Sequence, residues 1–350
     1  MMSDLPDFIV EFLKTQKKIE ELALRDLEWK HSTVIDNLIN DINFPLKKLA
    51  LHRQTDFLGE EANALKFLEK FVNTLEELAL GSFFPGSVYE IIFEKFKNLK
   101  ILDVYLTYAP KEDTFYHNLR PNVAVKKLVI RGLTSQNEFK LQGFIVNLPN
   151  VESLVLMDPS ISKEMVLFIS HNLLNLEEIK MKTLEVASFK EVILTSIKSL
   201  RIRSLMRVSR NDWYTICRSL PNIQRFAVEN VFQMSSLSEP MFLIFTQGWK
   251  YLTSIDLGFG FEPRRRMFTL LLQNSKNLKT VSIPAVIRER NVQLADLIHK
   301  CFEQVQGPRL FFKSSKQQPR EQVELWNNED CWDDVDDEHE DDGDSDIDGI

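Results

Sequence analysis

Aliphatic residues recur along the chain in the order apolar-x-x-apolar-x-apolar. The copies are Ile19–Leu22–Leu24, Leu46–Leu49–Leu51, Leu75–Leu78–Leu80, Leu99–Leu102–Val104, Val125–Leu128–Ile130 and Val151–Leu154–Leu156. They continue as Leu176–Ile179–Met181, Ile197–Leu200–Ile202, Ile223–Phe226–Val228, Leu252–Ile255–Leu257 and Leu278–Val281–Ile283, with a degenerate twelfth copy at Leu310–Phe312. Successive middle positions of the first eleven lie 21 to 29 residues apart. The last two apolar positions of each copy flank one residue of opposite facing, which predicts a short strand with one face in a core. Between copies lie segments with helical spacing, such as Gly59–Thr74, Ser162–Asn175 and Glu262–Asn277, where Met267, Leu270 and Leu271 share a face. Strand and helix in alternation, repeated at one period, predict a right-handed coil of parallel strands. One unit cannot bury its own apolar edge, but a stack can.

The punctuation agrees with that reading. Asn98, Pro149–Asn150, Asn175, Pro221–Asn222 and Asn277 stand just before the first aliphatic, where a helix must give way to an extended segment. The shortest step leaves Ser188–Ser196 as a clipped helix, and Arg309–Ser315 reads as a closing strand. Pro6–Gln16 reads as the helix of an incomplete first unit.

Composition adds a second region. From Glu329 to Ile350 there are 13 acidic and no basic residues, so 38 acids face 43 bases elsewhere. The net charge of −8 therefore divides into a body of about +5 and an acidic tail. The expected organisation is a solenoid over 1–316 and a polar, then acidic, disordered tail over 317–350. Three scattered cysteines argue against a disulfide framework. No apolar run approaches the roughly 18 residues of a membrane span, and the start of the chain lacks a signal pattern. Cytoplasm or nucleus is the expected compartment.

The phrases NLPNVESLVL, NLLNLEEIKM, SLPNIQRFAV and NSKNLKTVSI resemble leucine-rich repeats, and are most similar to the arrays of eukaryotic F-box/leucine-rich-repeat proteins. The resemblance covers about Pro6 to Val286. It implies an α/β leucine-rich-repeat horseshoe, strands concave and helices convex. It also implies recognition of a substrate for a cullin-based ubiquitin ligase. Two features depart from it. DLPDFIVEFL resembles the opening of an F-box, but Ile19–Leu24 is already a repeat strand, so an adaptor-binding F-box is expected only if one lies upstream. The fifth residue after the middle aliphatic, usually Asn or Cys in that family, is Leu27, Gln54, Phe83, Thr107, Leu133, Pro159, Leu184, Leu205, Val231, Gly260 and Val286. Apolar packing should replace the usual ladder. A looser resemblance, in body-plus-tail layout alone, is to acidic-tailed nuclear repeat proteins and to the activators of the Ran GTPase.

The residues flanking the buried strand positions map a concave face. Ala23, Ala50 and Ala79 predict a shallow floor; Asp103 and Tyr105 follow, with Arg131 beside them, then Val129 and Val155. Lys180, Lys182, Arg201, Arg203 and Arg225 come next and form the sharpest feature. Their functional reading is a patch for a protein partner with an acidic or phosphorylated segment; the alternative is an ordinary solvated face. Nucleic acid fits less well, because the tail repels it and no aromatic side chains interleave the cations. Phosphate-loop, zinc-site and hydrolase motifs are missing from the sequence, so the chain reads as a binding module without cofactor, metal or catalytic residues. Two other readings stay open: an acidic-tailed scaffold or chaperone-like binder of basic proteins, and an activator of a small GTPase through Arg25, Arg131 or Arg203.

Overall fold

The computed structural model describes residues 11–13, 15–25, 42, 44–52, 61–81, 84–111, 113–158, 161–205, 208–231, 239–259, 261, 264–284, 296, 298–300, 302 and 309–313. The acidic tail lies outside them.

Twelve strands form one parallel sheet in strict chain order. They are β1 Glu21–Arg25, β2 Lys48–His52, β3 Glu77–Gly81, β4 Ile101–Tyr105, β5 Lys127–Arg131, β6 Ser153–Leu156, β7 Glu178–Thr183, β8 Ser199–Leu205, β9 Arg225–Val231, β10 Ser254–Phe259, β11 Thr280–Pro284 and β12 Arg309–Lys313. Every copy of the apolar pattern, including the degenerate twelfth, becomes a strand. The connecting helices are α1 Glu61–Glu69, α2 Gly86–Lys95, α3 Asp113–His117, α4 Glu138–Asn147, α5 Lys163–Asn172, α6 Arg210–Ser219, α7 Glu239–Gly248 and α8 Arg265–Asn274. Between β7 and β8 the short step leaves no α-helix, only a 3₁₀ turn at Val186–Phe189. Residues 11–13 are helical and Leu13 is buried, as expected for an incomplete first unit.

The register fixes which side chains enter the core. The middle aliphatics are partners strand by strand from Leu22 through Leu128 and Phe226 to Leu310. They meet the buried faces of the helices, where Trp213 of α6, Phe226, and Phe245 and Trp249 at the end of α7 pack with ring centroids 4.7 to 6.5 Å apart. The expected apolar packing after each strand is present at Leu133, Leu205 and Val231, all buried. Thr107 alone among the described positions of that series donates a side-chain hydrogen bond to the next unit, to the Gly132 carbonyl.

An asparagine ladder does exist, but at the other end of the strands. Asn98 donates to the Asn73 carbonyl, Asn150 to Val123, Asn222 to Thr195 and Asn277 to Lys250, each reaching the preceding unit. The turn asparagines therefore satisfy backbone carbonyls that the curved turn leaves open. Deeper polar groups do similar work. Asn122 donates to the carbonyls of Ile92 and Phe96 at the end of α2, and Lys140 Nζ to those of Leu106 and Ala109. Burial lowers the Lys140 pKa, and Lys111 lowers it further. α6 starts with a capping box, Ser209 and Asp212 each accepting from the other's backbone N–H. Gly258 is required by a close approach: a Cβ there would lie 1.8 Å from the Glu229 carbonyl oxygen.

Candidate interaction face

The outward residues of successive strands form columns across the sheet. The central column runs Ala23, Ala50, Ala79, Asp103, Val129, Val155, Lys180, Arg201, Ala227, Asp256, Ser282 and Phe311, each the register partner of the next. Adjacent strands are about 4.8 Å apart, so neighbours in a column touch or shield each other.

From β2 to β6 this column is closed. Ala50, Ala79, Asp103, Val129 and Val155 are only 0 to 6% exposed. Ala50 and Ala79 do not leave the open floor that their size predicts, whereas Ala23 on β1 is exposed. Lys48 spans two strands, 2.9 Å from Glu21 and 3.5 Å from Glu77. Burial alone would lower its pKa, but the Glu21 hydrogen bond and the Glu77 charge outweigh that, and the net shift is upward. Arg131 forks onto Asp103 with Nε and Nη2 at 3.0 to 3.2 Å, a bidentate pair. The Asp103 and Arg131 side chains are 8% and 15% exposed. These charges neutralise each other inside the protein surface. Tyr105, the other candidate here, is half-buried and packs its ring at Gly132, whose φ of 65° needs glycine.

From β7 onward the column opens. Lys180, Arg201, Ala227, Asp256 and Ser282 are all partly exposed, and Phe311 is 45% exposed. Lys180 and Arg201 are direct register partners, and the bracketing pairs Met181–Ile202 and Thr183–Ser204 put Lys182 beside Arg203. Arg225 lies on β9 beside Ser199. The structure thus brings all five predicted cations onto three adjacent strands. Like charges side by side in a sheet are destabilising. Part of that repulsion is relieved locally: Glu229 is 3.9 Å from Lys180, and Arg201 and Arg203 also have partners within the chain. Counting outward residues of β7 to β9, five cations still face two acids, Glu178 and Glu229.

Asp158 joins the two halves. Its carboxylate accepts the Leu133 N–H at 2.8 Å. Burial raises its pKa, opposed by that hydrogen bond and by the charges of Lys182 and Arg131. The charge sequence Asp103, Arg131, Asp158, Lys182 therefore alternates up to the edge of the open patch. Nothing in the sequence pattern marks Asp158, because it lies beyond the strand.

Other features give no rival site. A depression of about 290 Å³ at the strand-start edge is lined by Lys47, Glu76, Asn98 and Lys100 among others. Its cations are paired, Lys47 with Glu20 and Lys100 with Glu76. Among the described residues no group of three or more His, Cys, Asp or Glu is arranged to hold a metal ion. No described helix is long and apolar enough to cross a membrane. Cys217 is buried, its side chain against Gly248, and burial pushes its thiol pKa upward, away from a reactive thiolate. Cys301 and Cys331, and the Arg25 side chain, lie outside the described residues.

No protein-family model matches the chain, and no curated protein does. Solved structures do. One is a leucine-rich repeat-containing protein, LegL7 from Legionella pneumophila, at 15% identity and a TM-score of 0.54. That match covers 81% of this chain and 97% of that one. A second is a chain of the Rad7 and Elc1 complex in yeast, at 14% identity and a TM-score of 0.34, covering 81% of this chain and 79% of that one. The parallel twelve-strand order, the repeat register and the first of these likenesses together establish a leucine-rich-repeat solenoid.

Proposed function

We propose that the chain is a protein-protein interaction module whose open face over β7 to β9 takes an acidic or phosphorylated segment of a partner protein. One observation carries this reading: Lys180, Lys182, Arg201, Arg203 and Arg225 converge on adjacent strands of the part of the sheet that is not roofed. Arg side chains there can fork onto carboxylates or phosphates, and Lys adds point charges. A shallow sheet face suits an extended peptide better than a small substrate needing a water-excluding pocket. Accordingly the module acts by binding.

The test is fluorescence anisotropy with a labelled twelve-residue Asp/Glu-rich peptide, titrated with the intact chain at low and physiological salt. Binding that weakens with salt and drops at least about tenfold in Arg201→Glu/Arg203→Glu supports the reading, since tenfold corresponds to about 1.4 kcal/mol. Equal, measurable binding by both proteins contradicts it.

The finer role suggested by the sequence resemblance is substrate recognition for a cullin-based ubiquitin ligase. Co-purification of an adaptor and a cullin with the intact chain tests that role, and their absence favours a free-standing scaffold. As GTPase activator the module would need an exposed arginine to reach a partner's nucleotide. Arg131 is held bidentately by Asp103, and Arg203 is half-buried with a partner of its own within the chain, so neither favours this reading.

A further inference from the structure

We infer that the open basic face is covered, in the free protein, by the chain's own acidic tail, residues 329–350. The inference rests on the reading of that face as an anion-binding surface and names its resident occupant. Three observations carry it.

The first is charge. The face presents a net excess of three cations over β7 to β9, from Lys180, Lys182, Arg201, Arg203 and Arg225 against Glu178 and Glu229. The tail presents 13 carboxylates and no basic residue in 22 positions. The roofed half presents less: over β2 to β6 Lys48, Lys127 and Arg131 stand against Glu77 and Asp103, an excess of one cation.

The second is reach. The last described residue is Lys313, at the end of β12, and β12 is the terminal strand of the sheet. Four strand steps separate β12 from β8, about 19 Å at about 4.8 Å per step. Residues 314–328 join the two, and 15 residues extend to about 50 Å. A random-coil segment of 15 residues averages about 22 Å end to end, close to the span required. The chain also leaves β12 at the C-terminal end of the parallel strands, the end that carries Lys182 and Arg203.

The third is concentration. A segment tethered at matched length is present at its site at an effective concentration on the millimolar scale. A free acidic peptide at micromolar concentration competes poorly with it. The tail therefore sets a threshold: partners must carry more or better-placed anions than the tail does, and phosphorylation of a partner segment is one way to pass it. The tail also keeps the face from taking up polyanions at random.

The experiment uses the full-length chain and a full-length variant with all 13 tail carboxylates neutralised, Asp→Asn and Glu→Gln. Both are titrated with the labelled acidic peptide. The inference predicts binding at least about tenfold tighter to the neutralised-tail chain at low salt, converging as salt rises, with the gain abolished by Arg201→Glu/Arg203→Glu. Equal, measurable binding by both chains overturns tail occupancy and leaves the binding face standing. Failure of the peptide to bind either chain overturns the anion-binding reading itself. A second readout does not depend on the peptide. Carbodiimide coupling of the intact chain should join tail carboxylates to Lys180 and Lys182, mapped by mass spectrometry, with the yield falling in high salt. Mixing isotopically light and heavy protein identifies the donor: links within one chain support the inference, and links only between chains overturn it.

Discussion

The two halves of the sheet are built from the same repeat and the same register, yet they present opposite surfaces. Between β2 and β6 every central outward residue is buried, and the flanking charges cancel in pairs across strands. Between β7 and β9 the same column carries Lys180 and Arg201 side by side, and part of each remains exposed. The middle aliphatics are buried behind both halves, so the surface contrast is set at the outward positions. A repeat fold fixes where a side chain points; it leaves free what that side chain is. In this chain one half spends its outward positions on closing the face and the other half leaves them accessible.

The largest effect should come from breaking a pair in the roofed half. Asp103→Asn leaves Arg131 poorly compensated at 15% exposure, and about 2 to 4 kcal/mol of stability should be lost in a denaturant titration. Asp103→Asn/Arg131→Met should recover most of it, because the double change leaves no orphan charge. If the single variant is as stable as the parent, the pair does not hold that half closed.

Next in size is a matched pair of insertions into the central column. Val155→Asp buries a carboxylate at a position 1% exposed, and about 2 to 3 kcal/mol should be lost. Ala227→Asp, on the open half, should cost under about 0.5 kcal/mol, and it should weaken anionic peptide binding. Equal costs at the two sites would erase the distinction between the halves.

How much of this was legible beforehand follows from what each residue does. Strands were legible because the aliphatic spacing serves the core, and core packing repeats with the fold. The five basic residues were legible because strand alternation sets their facing. The roof was not: whether Ala50 and Ala79 form a floor or a sealed seam depends on long side chains such as Lys48 crossing two strands. The asparagine ladder was visible as a string of residues before each strand, but its bonds run to the preceding unit, a contact no local pattern states. Asn122, Lys140 and Asp158 carried no signal, since they answer carbonyls and N–H groups that open only when the units stack.

The smallest effect concerns the joint between the halves. The folded Asp158 carboxyl has a raised pKa, so its contribution to stability is fully present below the unfolded carboxylate value of 3.8 and is lost as pH rises through the elevated folded value. Relative to Asp158→Asn, the parent should therefore lose ground as pH increases from about 4 toward neutrality. Denaturant midpoints of both proteins across that range measure it. A parent that gains on the variant instead would mean that Lys182 and Arg131 outweigh the burial.

The most direct test of the contrast compares two reversals of equal charge, Arg201→Glu on the open half and Lys127→Glu on the roofed half, in the full-length chain with its tail carboxylates neutralised. Peptide binding is followed by anisotropy at one fixed salt concentration. Arg201→Glu should cost at least about tenfold in affinity, or about 1.4 kcal/mol, while Lys127→Glu should change it by less than about twofold. Equal losses at both positions would show that net charge alone draws the peptide, and would contradict a binding face confined to β7 through β9.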